Sequence, residues 1–385
     1  MNKPLAIGLI IFFILVIAGG AIWLTLKPEA ETTTTERGTI LRFPFGLFGG
    51  EEPTPTSAQP TAPATGEKQA LMLLDQGPVE SFAVRENSVR YLIKQDGHIL
   101  EVGPRGEEQT RVSNTTIPKI FETAWSFNSS KAILKYIEGS ARRIISAEFI
   151  ATSTRASVLS SNIISATFAP DRDRIAYLVP TASGSRLISA NPDNTKQTEI
   201  TNLPFKDFDL YWPEKNSIYF LSRPSGSVGG FLFKYDLVKE SFDKVLGEVA
   251  GMRVRFSADG QKLVYSAYDN ASSRSRLYLY DLKTAKTSDL QTAGLADKCA
   301  YAKSAKNIIY CGLDQNPAPV LYPDAWLKGE VSFSDSLWQI NIETGEKKIL
   351  NEQKFDIKQI ESSDNGGFLY FIDKNNGSLW SLKTN

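Results

Sequence analysis

The chain holds one histidine, His98, in the segment DGHIL. A lone imidazole supplies no multi-histidine zinc site, and as a general base it would need a neighbouring Ser or Cys that the sequence does not point to. His98 therefore reads as a turn residue. No G-x-S-x-G stretch occurs, so the sharp turn that exposes a hydrolase serine is missing. Asp171, Asp173, Asp259 and Asp364 sit in polar turns, where a short carboxylate bonds the backbone two residues on. None of these turns alternates oxygen ligands as a dedicated calcium loop does. A glycosidase pair of carboxylates assembles in space and not in sequence, so that chemistry stays open. No catalytic residue, cofactor or metal ligand is assigned. Cys299 and Cys311 bracket KCAYAKSAKNIIYCG, and a turn near residue 305 sets them opposite each other. Two readings stand: a cross-strand disulfide, at home in an exported protein, or two buried thiols filling a sheet.

Side chains of the kind that anchor interfaces gather in three stretches. Arg223 lies in SRPSGSVGG, Tyr268, Arg274 and Arg276 in YDNASSRSR, and Tyr322, Asp324 and Trp326 in GLDQNPAPVLYPDAWLKGEVSFSDS. Aromatic and guanidinium groups carry much of the energy of protein recognition. The competing reading is that Tyr322 and Trp326 only pack their own loop. For these stretches to act together, a fold must bring them to one face.

That fold is written as a repeat. An apolar strand, a polar turn and a second strand carrying tyrosine recur at Tyr91, Tyr136, Tyr177, Tyr219, Tyr265, Tyr310 and Tyr370. Successive tyrosines are 41 to 46 residues apart, except the last pair at 60. That period is expected for four-stranded propeller blades. Hairpins such as LYLYDLKTAKTSDL and LWQINIETGEKKIL supply the third and fourth strands. The expectation is an all-β, seven-bladed propeller of four-stranded antiparallel blades over residues 69–385. The last copy has one further strand before residue 385, and QALMLL at 69–74 precedes the first copy as a fourth strand would, so the two ends are expected to share one blade.

The copies FSADGQKLVYSA and FAPDRDRIAYLV resemble the FSPDG-type repeat of TolB-like, WD-repeat-related propellers. The resemblance covers about residues 69–385 and implies an architecture, because that repeat occurs in proteins of many activities. In such a propeller the second-to-third-strand loops share a face with the links between blades. The stretches at 222–230, 268–276 and 312–336 would then line one sector of it, on the fourth to sixth blades. Long loops on a rigid scaffold are where binding concentrates.

Residues 5–26 carry no charge and would span roughly 33 Å as a helix, enough for one bilayer crossing. Small residues at 18–21 leave a cleaved signal peptide as the alternative to an anchor over 1–27. With Lys3 before the span, the amino terminus is expected in the cytoplasm and the rest outside the membrane. Residues 28–68 are dominated by Thr, Pro, Ala, Gly and Glu, the composition of a disordered tether. Phe43, Phe45 and Phe48, in ILRFPFGLFGG at 40–50, read as a patch resting on membrane or domain, or as a docking motif. Lys plus Arg and Asp plus Glu number 43 each, which removes the field a nucleic-acid partner would need. The resulting expectation is a membrane-tethered binding or scaffold protein with a protein or peptide partner in the cell envelope. The rival is a glycan-binding lectin or hydrolase with its site in the central channel. An apolar, loop-walled groove would favour the first, and acidic and aromatic residues at the channel mouth the second.

Overall fold

Tyr91, Tyr136, Tyr177, Tyr219, Tyr265, Tyr310 and Tyr370 each fall on the second strand of a four-stranded sheet in the computed structural model of the chain. The structure describes residues 71–384 except 87, 151 and 152. Among them are seven antiparallel sheets, of which six are simple meanders: 79–113, 120–159, 166–203, 208–250, 253–293 and 299–355 form blades 1 to 6. Blade 7 takes three strands from 357–383 and its outer strand from Leu71–Asp75, which runs antiparallel to Leu379–Lys383. The innermost strands neighbour one another around the ring, so their outward-alternating side chains face a central channel.

A repeated turn explains the sequence period. In blade 5 the Ser257 hydroxyl donates to the Asp259 carboxylate at 2.7 Å and accepts the Lys262 N–H at 3.0 Å. Ser126 with Asn128 and Lys131, and Ser363 with Asn365 and Phe368, build the same turn in blades 2 and 7. Each turn needs a left-handed residue at one place, filled by Gly260, Ser129 and Gly366. Glycine at 260 also admits a close approach, since a Cβ there would lie 2.7 Å from that of Glu214 in blade 4.

The core lies between blades. Leu178 and Leu187 of blade 3 pack with Phe208, Trp212 and Phe220 of blade 4, and Val264 and Leu277 of blade 5 with Ile309 and Ile340 of blade 6. Each fully buried side chain of this size contributes about 1.5–3 kcal/mol. Among the described residues no helix is long and apolar enough to cross a membrane. The expected anchor at 1–27, the tether at 28–68 and the Phe-rich segment at 40–50 lie outside the described residues.

Candidate functional site

Blade 6 is interrupted between its second strand, Ile308–Leu313, and its third, Asp335–Asn341. The intervening segment carries a single-turn helix, Asp324–Lys328, ended by Gly329 in the left-handed conformation. Asp314 closes the base of the insertion by accepting the N–H groups of Asn316 at 2.9 Å and Ser334 at 2.8 Å. Above it, Tyr322, Trp326 and Phe333 are buried with Leu295, and Tyr268 of blade 5 packs against them. The insertion then reaches blade 4, where Asp324 accepts the Gly226 N–H at 2.6 Å and the Ser225 hydroxyl at 3.3 Å. Only glycine fits beneath it: a Cβ at Gly226 or Gly251 would come within 2.5 or 2.7 Å of the Tyr322 carbonyl oxygen.

Under the helix lies a charge cluster. Lys298, in the link from blade 5 to blade 6, donates from Nζ to Asp335 Oδ2 at 2.7 Å, Asp356 Oδ1 at 2.6 Å and the Ile357 carbonyl at 3.2 Å. All three charged side chains are fully buried. The ammonium lies 4.8 Å from the centroid of Trp326 and 4.2 Å from that of Phe333. Trp326 Nε1–H in turn donates to Asp356 at 2.8 Å. Burial pushes the Asp335 carboxyl up to about 6, against the pull of Lys298 and of the Ile357 N–H. Lys374, from blade 7, donates to the Trp326 carbonyl at 2.5 Å and is itself lowered by burial. Four consecutive blades thus hold one insertion in place.

The residues singled out from sequence distribute as follows. Tyr322 and Trp326 pack the insertion, and Asp324 ties it to blade 4. Arg274 donates to Asn316 at 3.1 Å, and Arg276 to Asp289 on its own blade at 2.9 Å. Arg223 remains 63% exposed, 3.7 Å from Asp207. Around them Leu321, Leu327 and Val228 are exposed apolar side chains, Leu327 at 48% and Val228 at 64%. Cys299 and Cys311 are paired partners on adjacent strands, 4.1 Å apart at Cα, and are joined as a disulfide. His98 sits in the second-to-third-strand turn of blade 1, with Nδ1 2.8 Å from Asp96. Lys298, Asp335 and Asp356 carried no sequence signal, because 37 and 58 positions separate the lysine from its two carboxylates.

The channel is lined by paired charges. Arg253 meets Asp297 at 2.5 Å, with both side chains 18% exposed. Arg255 pairs with Glu361 and donates to the Ile360 carbonyl at 3.2 Å. Lys135 pairs with Glu122 at 2.6 Å, and Lys358 with Glu80 at 3.0 Å. Burial pushes Asp209 upward, with Arg253 opposing. At the mouth away from the insertion is a cavity of about 340 Å³ lined by Tyr211, Trp212, Arg255, Phe256, Tyr301 and Glu361. The Tyr301 hydroxyl there is buried without a hydrogen-bond partner, and burial raises it. Among the described residues no three His, Cys, Asp or Glu side chains gather as a metal site.

No protein-family model matches the chain, and no curated protein matches its sequence. Solved structures do. The Cps50 (Swd1) β-propeller domain of Myceliophteria thermophila aligns at 11% identity and a TM-score of 0.52, over 82% of this chain and all (100%) of that one. An oligogalacturonate lyase in complex with manganese aligns at 12% identity and 0.56, over 81% and 92%. TolB from Acinetobacter baumannii aligns at 13% and 0.44 over 79% of this chain, which spans 63% of the TolB chain. The described chain is a seven-bladed β-propeller with four-stranded antiparallel blades. TolB and WD-repeat-type propellers are among its structural neighbours, and at these identities the likeness is one of fold.

Proposed function

We propose that this propeller is a membrane-tethered, extracytoplasmic recognition protein that binds a protein or peptide partner on the face carrying the blade 6 insertion. One observation carries the reading: the insertion is fixed to blades 4, 5 and 7 by hydrogen bonds and packing, yet leaves Leu321 and Leu327 exposed, with Leu321 over Gly226 of the blade 4 loop that also exposes Val228. A rigid apolar surface loses little entropy on binding, so its burial converts to affinity. The Cys299–Cys311 disulfide supports an oxidising compartment, and the apolar stretch at 5–26 supports the tether. The test places a photo-crosslinking residue at Leu327 or, as a control, at Val238 on the opposite face, in the full chain in its own membranes. Adducts at 327 that vanish when Val228 and Leu321 become aspartate support the reading. Equal adducts at both positions, or adducts unchanged by the aspartates, refute it.

A second reading rests on the channel-mouth cavity, where aromatic faces, the Arg255 guanidinium and the Glu361 carboxylate form the mixture that holds a sugar ring or another small polar ligand. Calorimetric titration with oligosaccharides against wild type and Trp212→Ala tests it. Binding lost in the variant favours the channel.

A further inference from the structure

Lys298, Asp335 and Asp356 combine one amine and two carboxyl groups in a site that no solvent reaches. We propose that Lys298 and Asp335 condense without an enzyme to an intramolecular amide, an isopeptide bond from Nζ to the side-chain carbonyl carbon of Asp335, with Asp356 relaying the proton and one water released.

In the proposed step the ammonium proton first passes to the Asp335 carboxylate that it touches, which leaves a free amine beside a carboxylic acid. These are the two reactants of amide formation. The rings of Trp326 and Phe333 cover the amine and keep bulk water from it.

Geometry divides the roles of the carboxyl groups. Asp335 Oδ2 accepts both Lys298 and the Ile357 N–H, at 2.7 and 3.0 Å, so the oxygen that becomes negative as the amine attacks already faces a backbone donor. Asp335 Oδ1 is buried with no partner, which leaves it free to depart. Burial also raises Asp335 toward its protonated form. Asp356 Oδ1 is held by Trp326 Nε1–H at 2.8 Å and touches the reacting nitrogen at 2.6 Å, as a proton relay must.

The amine lone pair attacks the Asp335 carboxyl carbon, and the N–C bond forms. With Oδ2 2.7 Å from Nζ, an ordinary hydrogen-bond angle puts that carbon about 3.5 Å away, a pre-positioned approach. Asp356 takes a proton from the nitrogen and returns it to Oδ1 of Asp335. The C–O bond breaks, water leaves, and no oxidant or reductant takes part. The product straps the base of the insertion covalently, next to the Cys299–Cys311 disulfide.

Peptide mapping of the full chain, purified under native conditions, then reduced, alkylated and digested with trypsin, tests this. The expected map shows no cleavage after Lys298 and a branched peptide joining the segments of Lys298 and Asp335, lighter than their sum by one water. Asp335→Ala restores cleavage after Lys298. Asp335→Asn still forms the same branched peptide, because an amide side chain releases ammonia in place of water. Asp356→Ala leaves most of the chain unbranched. Linear peptides cleaved after Lys298 in wild type overturn the proposal, as does a branch on Asp356. A branch formed to the wild-type extent in Asp356→Ala overturns the relay.

Discussion

The Asp324 carboxylate of blade 6 accepts the backbone N–H of Gly226 in blade 4 at 2.6 Å, across the whole width of blade 5. A loop that only decorated its own blade would need no such contact. The bond makes the insertion a bridge, and the glycine at 226 is what lets the two backbones approach.

Asp324→Ala should therefore lower stability by about 1–2 kcal/mol, the loss of one charge-assisted, half-buried hydrogen bond. Urea unfolding measures that loss. Hydrogen exchange should locate it, with faster exchange at 225–227 and at the helix Asp324–Lys328 but not in blades 1 to 3. Gly226→Ala should cost more, because its methyl group would lie 2.5 Å from the Tyr322 carbonyl oxygen.

The channel pair Arg253 and Asp297 predicts a pH dependence. Burial alone would raise Asp297, but the Arg253 charge and hydrogen bonds outweigh it and hold the carboxyl below its usual range. The folded state then binds this proton less tightly than the unfolded chain. Its contribution is complete above the unfolded value, about 3.9, and is lost as pH falls through the lower folded value. Asp297→Asn should cost about 3 kcal/mol at pH 7, the lower end for an orphaned buried charge. The gap between variant and wild type, read from urea midpoints, should stay constant down to about pH 4 and narrow below it. A gap that widens on acidification would contradict the assignment.

The Cys299–Cys311 bond closes a loop with a sequence separation of 12. Chain entropy alone gives such a loop about 3 kcal/mol. The double variant Cys299→Ala, Cys311→Ala should unfold at lower urea by up to that amount. Reducing the wild type should reproduce the shift, whereas reducing the variant should change nothing.

How much of this could be read in advance depends on where each residue points. Tyr265 announces its blade because it follows a turn whose Ser257 and Asp259 have one local job, and that local chemistry recurs at Ser126 and Ser363 in blades 2 and 7. The channel is different. Arg253 and Arg255 alternate with Val254 and Phe256, and that pattern is the same whether the polar side faces bulk water or the middle of a ring. Lys298 looks like any lysine in a link, since its burial depends on Asp335, Asp356 and an insertion whose fold has no period. Tyr322 and Trp326 illustrate a further ambiguity: an aromatic side chain in a long loop has the same sequence signature when it anchors a partner and when it packs the loop, and here both are buried.

The closing blade sets the last prediction. Leu71, Met72 and Leu73 pair with Leu382, Ser381 and Trp380, so the strand Leu71–Asp75 covers the backbone edge of Leu379–Lys383. Asp75 locks the corner by accepting the Gly77 N–H and the Tyr91 hydroxyl, each at 2.8 Å. A chain beginning at residue 76 would lose both and expose a row of unpaired N–H and C=O groups, the template on which strands of other molecules add. It should melt at a lower temperature and associate in a concentration-dependent way, seen by light scattering after size exclusion. A peptide of residues 69–76 added in trans should restore the monomer by refilling the edge. A trimmed chain that stays monomeric and melts with the wild type would show that the ring holds without this strand.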